Sequence, residues 1–168
     1  MKNLKDYNLK ELIINAENNN ACEEEIDKIK RYESMQELID TTPVNKIAYW
    51  AFWYSFYVIK DRWPEAEDAI RQDDYWAYLY SKDIIKGRWF EAEDVIRQDP
   101  KWAYWYSRDV MKDRWPEAEG VIRQDDYWAY LYAKDVIKDR WLEAEDVIRQ
   151  DAELAYCYSR DVMKDNFQ

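Results

Sequence analysis

The chain has no histidine, only two glycines, four prolines and two cysteines in 168 residues. Each shortage excludes something. Without histidine, Ser-His and Cys-His nucleophilic sites and the usual zinc-ligand sets cannot be built. With so little glycine, tight hairpins and Gly-rich phosphate loops lack their raw material. Cys22 and Cys157 stand far apart, a usage that fits a reducing compartment better than a disulfide framework. No apolar run approaches the roughly 20 residues that span a bilayer. Residues 1–20 lack the apolar stretch and small-residue cleavage site of a secretory signal. The expectation is a cytoplasmic, non-membrane protein with no cofactor.

What the chain has in excess is aromatic surface and charge. Ten Trp, fifteen Tyr and four Phe bring the aromatic content to 17%, more than one small globule can hide. Charged residues make up 36% and sum to a net −11. That balance favours solubility and weighs against binding nucleic acid mainly by electrostatics.

The aromatics are arranged in register. Trp63, Trp89, Trp115 and Trp141 are spaced by 26 residues, and each is followed by x-E-A-E. A second ladder runs Trp50, Trp76, Trp102, Trp128 and Leu154, and a third runs Tyr54, Tyr80, Tyr106, Tyr132 and Tyr158. Residues 63–114 and 115–166 agree at 41 of 52 positions, which points to duplication of a two-unit block. Phe167 stands where a further unit would begin. A fixed period of this size is the signature of a solenoid, in which short units bury their apolar faces against neighbours.

Each unit reads as two helices. The first, near 64–72, opens on Pro64, with Pro116 at the same place, because proline suits the first helical position. The second, near 74–86, is announced by Asp73, and Asp99 before Pro100 has the order of an N-cap followed by N1. Asp125 and Asp151 hold the same place. Gly87 sits where a left-handed C′ residue is expected, with Asp61, Asp113 and Asp139 at that position elsewhere. Helices this short persist only by packing.

Residues 43–60 read as an earlier copy of the second helix, with Thr42 and Pro43 as its cap and first position. Ile26, Ile29, Tyr32, Met35 and Leu38 predict a degenerate first helix over 23–40. Asn8 and Glu11 form a capping-box pattern opening a helix to about Ala16, and residues 17–20 read as a loop. The expected fold is all-α, a right-handed α-solenoid of two-helix 26-residue repeats. Residues 1–47 form a divergent N-terminal cap, and residues 48–168 form tandem units starting near 63, 89, 115 and 141.

The strings Arg62-Trp63-Pro64-Glu65-Ala66-Glu67 and Tyr75-Trp76-Ala77-Tyr78-Leu79-Tyr80 resemble a family of short helical-repeat proteins of bacteriophages and some bacteria. Those proteins carry repeated R-W/F-P-E-A-E and A-Y-x-Y-A-x-D-V-I-K-G-R blocks. The resemblance covers about 48–168. It implies a helical solenoid of phage origin, and no particular activity.

Carboxylate pairs such as Glu65 with Glu67, or Glu91 with Glu93, can serve acid–base or metal chemistry. Here they recur in every unit, whereas an active site breaks a repeat. They are therefore expected to be solvated acidic first turns at helix N-termini, and no enzymatic activity is expected. The row Asp83, Asp109, Asp135 and Asp161 lies mid-helix and needs partners. A Tyr hydroxyl, or an Arg or Lys of the adjacent unit, is the expected donor. Both Trp rows are expected in the core.

Function should show where the rows vary. Tyr75, Lys101, Tyr127 and Glu153 share one register, and Leu79, Trp105, Leu131 and Cys157 share the next. A helical wheel puts Tyr75, Lys82 and Lys86 opposite Tyr80 and Ile84. The candidate partner-binding residues are thus Tyr75, Leu79, Lys82, Lys101, Trp105, Arg108, Tyr127, Leu131, Lys134 and Glu153. Two basic rows, Lys82/Arg108/Lys134/Arg160 and Lys86/Lys112/Lys138/Lys164, predict a basic ridge on this face, and the first helices an acidic one.

The leading expectation is a non-enzymatic protein-binding module, a phage protein that inhibits or redirects a host protein such as a defence component. Two alternatives come from other classes. One is a solenoid that binds nucleic acid along the basic ridge or imitates it with the acidic one. The other is a self-assembling protein that forms homo-oligomers through an uncovered C-terminal repeat.

Overall fold

Every repeat begins with a backbone N–H that its own helix cannot satisfy. Trp63 precedes the helix Pro64–Ile70, is 5% exposed, and has no side-chain cap of its own. Its N–H donates instead to the hydroxyl of Tyr80 at 2.7 Å. Tyr80 donates in turn to Glu67 at 3.1 Å, and Arg62 grips the same carboxylate with Nε at 2.8 Å and Nη2 at 2.9 Å. The R-W-x-E-A-E string and the tyrosine 17 residues after the Trp are therefore one interlocked unit.

The computed structural model describes residues 3–164 and divides the chain into two compact units, residues 1–86 and 87–168. All regular structure among the described residues is helical, and successive helices pack on one another within each unit. The helical-repeat architecture expected from the 26-residue period is the one the protein has. Phe167 lies outside the described residues.

The first unit holds α1 (Leu9–Asn18), α2 (Glu23–Lys30), α3 (Met35–Thr41), α4 (Val44–Tyr54), α5 (Pro64–Ile70) and α6 (Asp74–Leu79), preceded by a 3-10 turn at Leu4–Asp6. The N-terminal helices cover α4. Leu9, Ile26, Met35 and Leu38 are buried with Ile47, Trp50 and Trp53 around a residual apolar cavity of about 50 Å³. That space is too small for a ring-sized ligand, since benzene occupies an engineered cavity of about 150 Å³. Tyr54 occupies the register of Tyr80, but no W-P-E-A-E string precedes it. Its hydroxyl accepts from Asn15 of α1 at 2.9 Å. The cap thus supplies a donor to the tyrosine that has no repeat before it.

The second unit holds α7 (Phe90–Ile96), α8 (Pro100–Tyr106), α9 (Pro116–Ile122), α10 (Asp126–Tyr132), α11 (Glu145–Ile148) and α12 (Ala152–Tyr158). The interlock recurs. Trp89, Trp115 and Trp141 donate to Tyr106, Tyr132 and Tyr158 at 2.8, 2.6 and 2.7 Å. Arg88, Arg114 and Arg140 each bind Glu93, Glu119 and Glu145 through two nitrogens. The rings of Tyr106 and Tyr132 also pack on the Trp of the following repeat, with centroids 5.0 Å apart for Tyr106–Trp115 and 5.2 Å for Tyr132–Trp141. One side chain therefore ties two repeats. Beside it, Ala92, Ala118, Ala103 and Ala129 are fully buried, letting the helices approach closely.

Asp99, Asp125 and Asp151 cap the second helices as expected, Asp99 and Asp151 each accepting two backbone N–H groups of the first turn and Asp125 one. Asp73 does the same in the first unit.

Other expectations needed correction. Residues 23–40 form two helices rather than one, because Ser34 caps a new start by accepting from Glu37 N–H at 3.1 Å. Pro43, not Thr42, holds the N-cap position of α4; Thr42 is buried and bonds Tyr32 through its hydroxyl at 3.1 Å. α1 runs to Asn18, taking in half of the expected loop.

The second helices also end differently from the expectation. All five widen into a π-turn, over Ser55–Ile59, Tyr80–Ile85, Ser107–Met111, Ala133–Ile137 and Ser159–Met163. Each stops at a left-handed lysine, with φ between 55° and 59° at Lys60, Lys86, Lys112, Lys138 and Lys164. Gly87 does not take the left-handed role; no glycine has positive φ. Ser55, Ser81 and Ser107 bond the carbonyl four residues back. Ala133 reaches the same π geometry without a hydroxyl, so that bond is not its cause.

Two stability predictions follow from these features. Tyr132→Phe strands the buried Trp115 N–H and should cost about 1–3 kcal/mol in urea denaturation; a loss below a few tenths would refute the interlock. Lys138→Gly relieves a left-handed residue that has a Cβ and should add about 0.5–1 kcal/mol, net of unfolded-state entropy.

Candidate functional site

The second helices present one half-exposed face, and the varied positions lie on it. In the second unit, α10 packs between α8 and α12. Lys101 is exposed, with Nζ 4.2 Å from the Trp102 ring centroid. Trp105 is half-buried beneath Arg108, whose guanidinium carbon sits 3.8 Å from its ring. Tyr127 is 46% exposed and meets Trp128 edge-on at 4.9 Å. Leu131 is half-buried, and Lys134 and Glu153 are exposed. These seven expected residues line consecutive helices of one unit. In the first unit, Tyr75 and Leu79 are half-buried on α6, and Lys82 follows on the π-turn, 5.6 Å from the Tyr78 ring.

Two aspartates of the row, Asp135 and Asp161, are held from the preceding repeat as their position required, and Asp109 is bonded by Arg108 of its own repeat. Tyr104 donates to Asp135 at 2.6 Å, and Tyr130 donates to Asp161 at 2.6 Å, each from one repeat to the next. Lys134 reaches Asp161 at 3.1 Å, and Arg160 bonds it at 2.6 Å. Hydrogen bonds from Arg160 and Tyr130 hold the Asp161 carboxyl well below the usual carboxylate range. Burial and the Asp135 contact push the Tyr104 phenol up to about 12.

These contacts correct two expectations about charge. Arg108, Lys134 and Arg160 do not form an open basic ridge: Arg108 binds Asp109 at 2.8 Å, and the other two bind Asp161. Nor are the paired glutamates uniformly solvated. Glu65, Glu91, Glu117 and Glu143 are exposed, but Glu67, Glu93, Glu119 and Glu145 sit inside the interlock. The Trp rows also differ. Trp63, Trp89, Trp115 and Trp141 are core, whereas Trp76, Trp102 and Trp128 remain partly exposed. Trp128 packs on Tyr104 at 5.6 Å, making the surface row an inter-repeat contact as well.

One feature escaped the sequence reading. In the first unit, the 19–22 turn, the start of α2 and the faces of α4 and α6 enclose an open groove of about 820 Å³, within the range of ligand sites. Its lining is largely aromatic: Tyr49, Phe52, Trp53, Tyr57, Tyr75 and Trp76. Trp76 packs against Tyr49 at 5.0 Å and Phe52 at 5.3 Å. Glu25 stands at the edge, accepting from Lys28 at 2.7 Å and Trp50 Nε1 at 3.2 Å. Burial raises its pKa, but those donors outweigh it and leave the carboxyl below its ordinary value. Burial and Glu25 push the Tyr49 phenol up to about 12.

A signal for this groove existed. Residues 52, 56 and 57 stand in the registers that elsewhere carry tyrosine, a cation and aspartate, as in Tyr104, Arg108 and Asp109. In α4 and its π-turn they are Phe52, Phe56 and Tyr57.

Among the described residues, no group of three or more Cys, Asp or Glu is placed to hold a metal ion, and no helix is long and apolar enough to cross a membrane.

The depressed Asp161 and Glu145 pKa values set a pH dependence. A carboxyl whose folded pKa lies below its unfolded value stabilises the fold above about pH 4 and loses that contribution as pH falls. Thermal melts followed by circular dichroism should show stability dropping below about pH 4, less steeply in Asp161→Asn; parallel curves would exclude Asp161 as a contributor. The chain matches no protein-family model, no curated protein and no solved structure, so its function must be read from its own residues.

Proposed function

We propose that the protein is a non-enzymatic binding module that holds a protein partner on the half-exposed faces of its second helices. The supporting observation is the division of labour along the repeat. Invariant reactive groups, the Arg, Glu and Tyr of the interlock and the aspartates Asp109, Asp135 and Asp161, are occupied by one another or by neighbouring cations. The positions that vary from copy to copy lie half-exposed on neighbouring helices. In the second unit they present Trp105, Tyr127 and Arg108, the residue types that dominate binding energy at interfaces. Repeat proteins bury their regular positions and recognise partners through irregular ones.

Pairing of Arg108, Lys134 and Arg160 with aspartates weakens the nucleic-acid alternative along that row, since a phosphate-tracking surface needs cations free to displace counterions. The exposed row Lys86, Lys112, Lys138 and Lys164 is the part of the ridge on which it would have to rest. Following the resemblance of the repeat blocks, the proposal extends to a phage-encoded protein whose partner is a host protein, inhibited or redirected by the contact.

The test is capture of a partner by the full chain from nuclease-treated host lysate at moderate salt, followed by titration of the purified pair. Trp105→Ala with Tyr127→Ala should weaken the complex roughly tenfold or more and leave the melting temperature within a degree or two. A complex indifferent to both substitutions, or capture that is lost once the lysate is treated with nuclease, would overturn the reading.

A further inference from the structure

The groove of the first unit can be assigned a class of occupant by comparing its helix with the other copies. Beyond α4, every copy pairs a ring with a cation from its own chain. Lys82 lies over Tyr78 at 5.6 Å, Arg108 over Tyr104 at 5.5 Å, Lys134 over Tyr130 at 5.5 Å, and Arg160 over Tyr156 at 5.6 Å. The aromatic face of this repeat is therefore a surface on which cations rest.

In the α4 copy that cation is gone. Phe56 replaces it, stacking on Phe52 at 5.8 Å, and Tyr57 replaces the aspartate. Phe56 and Tyr57 are 40% and 51% exposed, respectively. The substitutions replace a paired cation and aspartate with rings, on the second helix whose core face the N-terminal cap covers. The cap adds an anion to it. Glu25 stays ionised, ion-paired with Lys28 at 2.7 Å and hydrogen-bonded also by Trp50 and the Tyr49 side chain, so an incoming cation would join an existing ion pair. Rings with an adjacent carboxylate, in a protein of net charge −11, are complementary to a cation. Lys60 also lines the groove, but it is the exposed end-of-helix lysine found in every copy and does not distinguish this one.

We propose that this groove binds an extended basic segment of a protein partner, an arginine or lysine of which rests on the Trp76–Tyr49 rings beside Glu25. The partner's side chain would supply the cation that the chain supplies to itself in the other repeats. This rests on the protein-binding reading and adds to it a second contact of defined chemistry.

The test uses the full chain and a short fluorescein-labelled Gly/Ser peptide with arginine at every third position. Its controls are the same peptide with citrulline for arginine, a proline-rich peptide of equal length, and oligo-dT. The arginine peptide should bind by fluorescence polarisation, and citrulline should weaken it about tenfold. Phe56→Lys with Tyr57→Asp restores the pattern of the other repeats and should abolish binding while keeping the wild-type melting temperature. Should that pair unfold the protein, Trp76→Phe gives a milder test, with weaker arginine binding expected.

Equal binding of the citrulline or proline-rich peptide, preference for oligo-dT, no binding of the arginine peptide, or arginine binding indifferent to a folded groove variant would overturn the proposal. The broader reading is judged separately, by the Trp105 and Tyr127 variants with the captured partner. It can survive a failure here.

Discussion

A buried backbone donor at the start of each repeat is the constraint around which this protein is arranged. The N–H of Trp63, Trp89, Trp115 or Trp141 precedes a helix whose own carbonyls cannot reach it, and the tryptophan side chain keeps water away. Leaving such a donor unpaired costs about 1–3 kcal/mol, a large fraction of the stability of a small domain. The phenol of a tyrosine 17 residues later satisfies it. A phenol both accepts and donates, so the same group commits a glutamate, and the glutamate commits an arginine. Four residues are thereby required at set spacings.

That chain of obligations explains why charge composition misled about charge distribution. A net −11 with regular basic rows suggests ridges of opposite sign. In the folded repeats the arginines before each tryptophan, and Arg108, Lys134 and Arg160 of the second helices, are committed to carboxylates, whereas the end-of-helix lysines Lys86, Lys112 and Lys138 stay exposed. Bidentate Arg–Glu pairs are among the stronger hydrogen-bonded contacts, and here they border a buried phenol. The face left for a partner is therefore rich in aromatic rings, with Arg108, Lys134 and Arg160 already paired. The α4 copy is the departure, because its cation and aspartate are both replaced by rings.

The cap follows the same logic. A repeat stack needs its first tyrosine and its first apolar faces covered, and α1 to α3 do both. Asn15 donates to the Tyr54 hydroxyl, and Leu9, Ile26, Met35 and Leu38 close over Ile47, Trp50 and Trp53. Their sequence shares little with the repeat because they need only its complementary surface.

The sequence by itself determined the helical-repeat class, the 26-residue register and the caps at Asp73, Asp99, Asp125 and Asp151. Apolar periodicity and capping are local properties and can be read locally. It also indicated which positions vary, and those lie on the exposed face of the second helices. Tertiary structure alone decided the rest. The left-handed lysines and π-turns carry no local signature, since lysine is not a residue that favours φ above zero. Which Trp row is core depends on what packs over it: Trp63 receives the ring of Tyr54, whereas Trp76 lies at an open groove. The groove joins residues near 20 to residues near 75, so only folding could create it, although Phe52, Phe56 and Tyr57 had already marked its place by breaking the row.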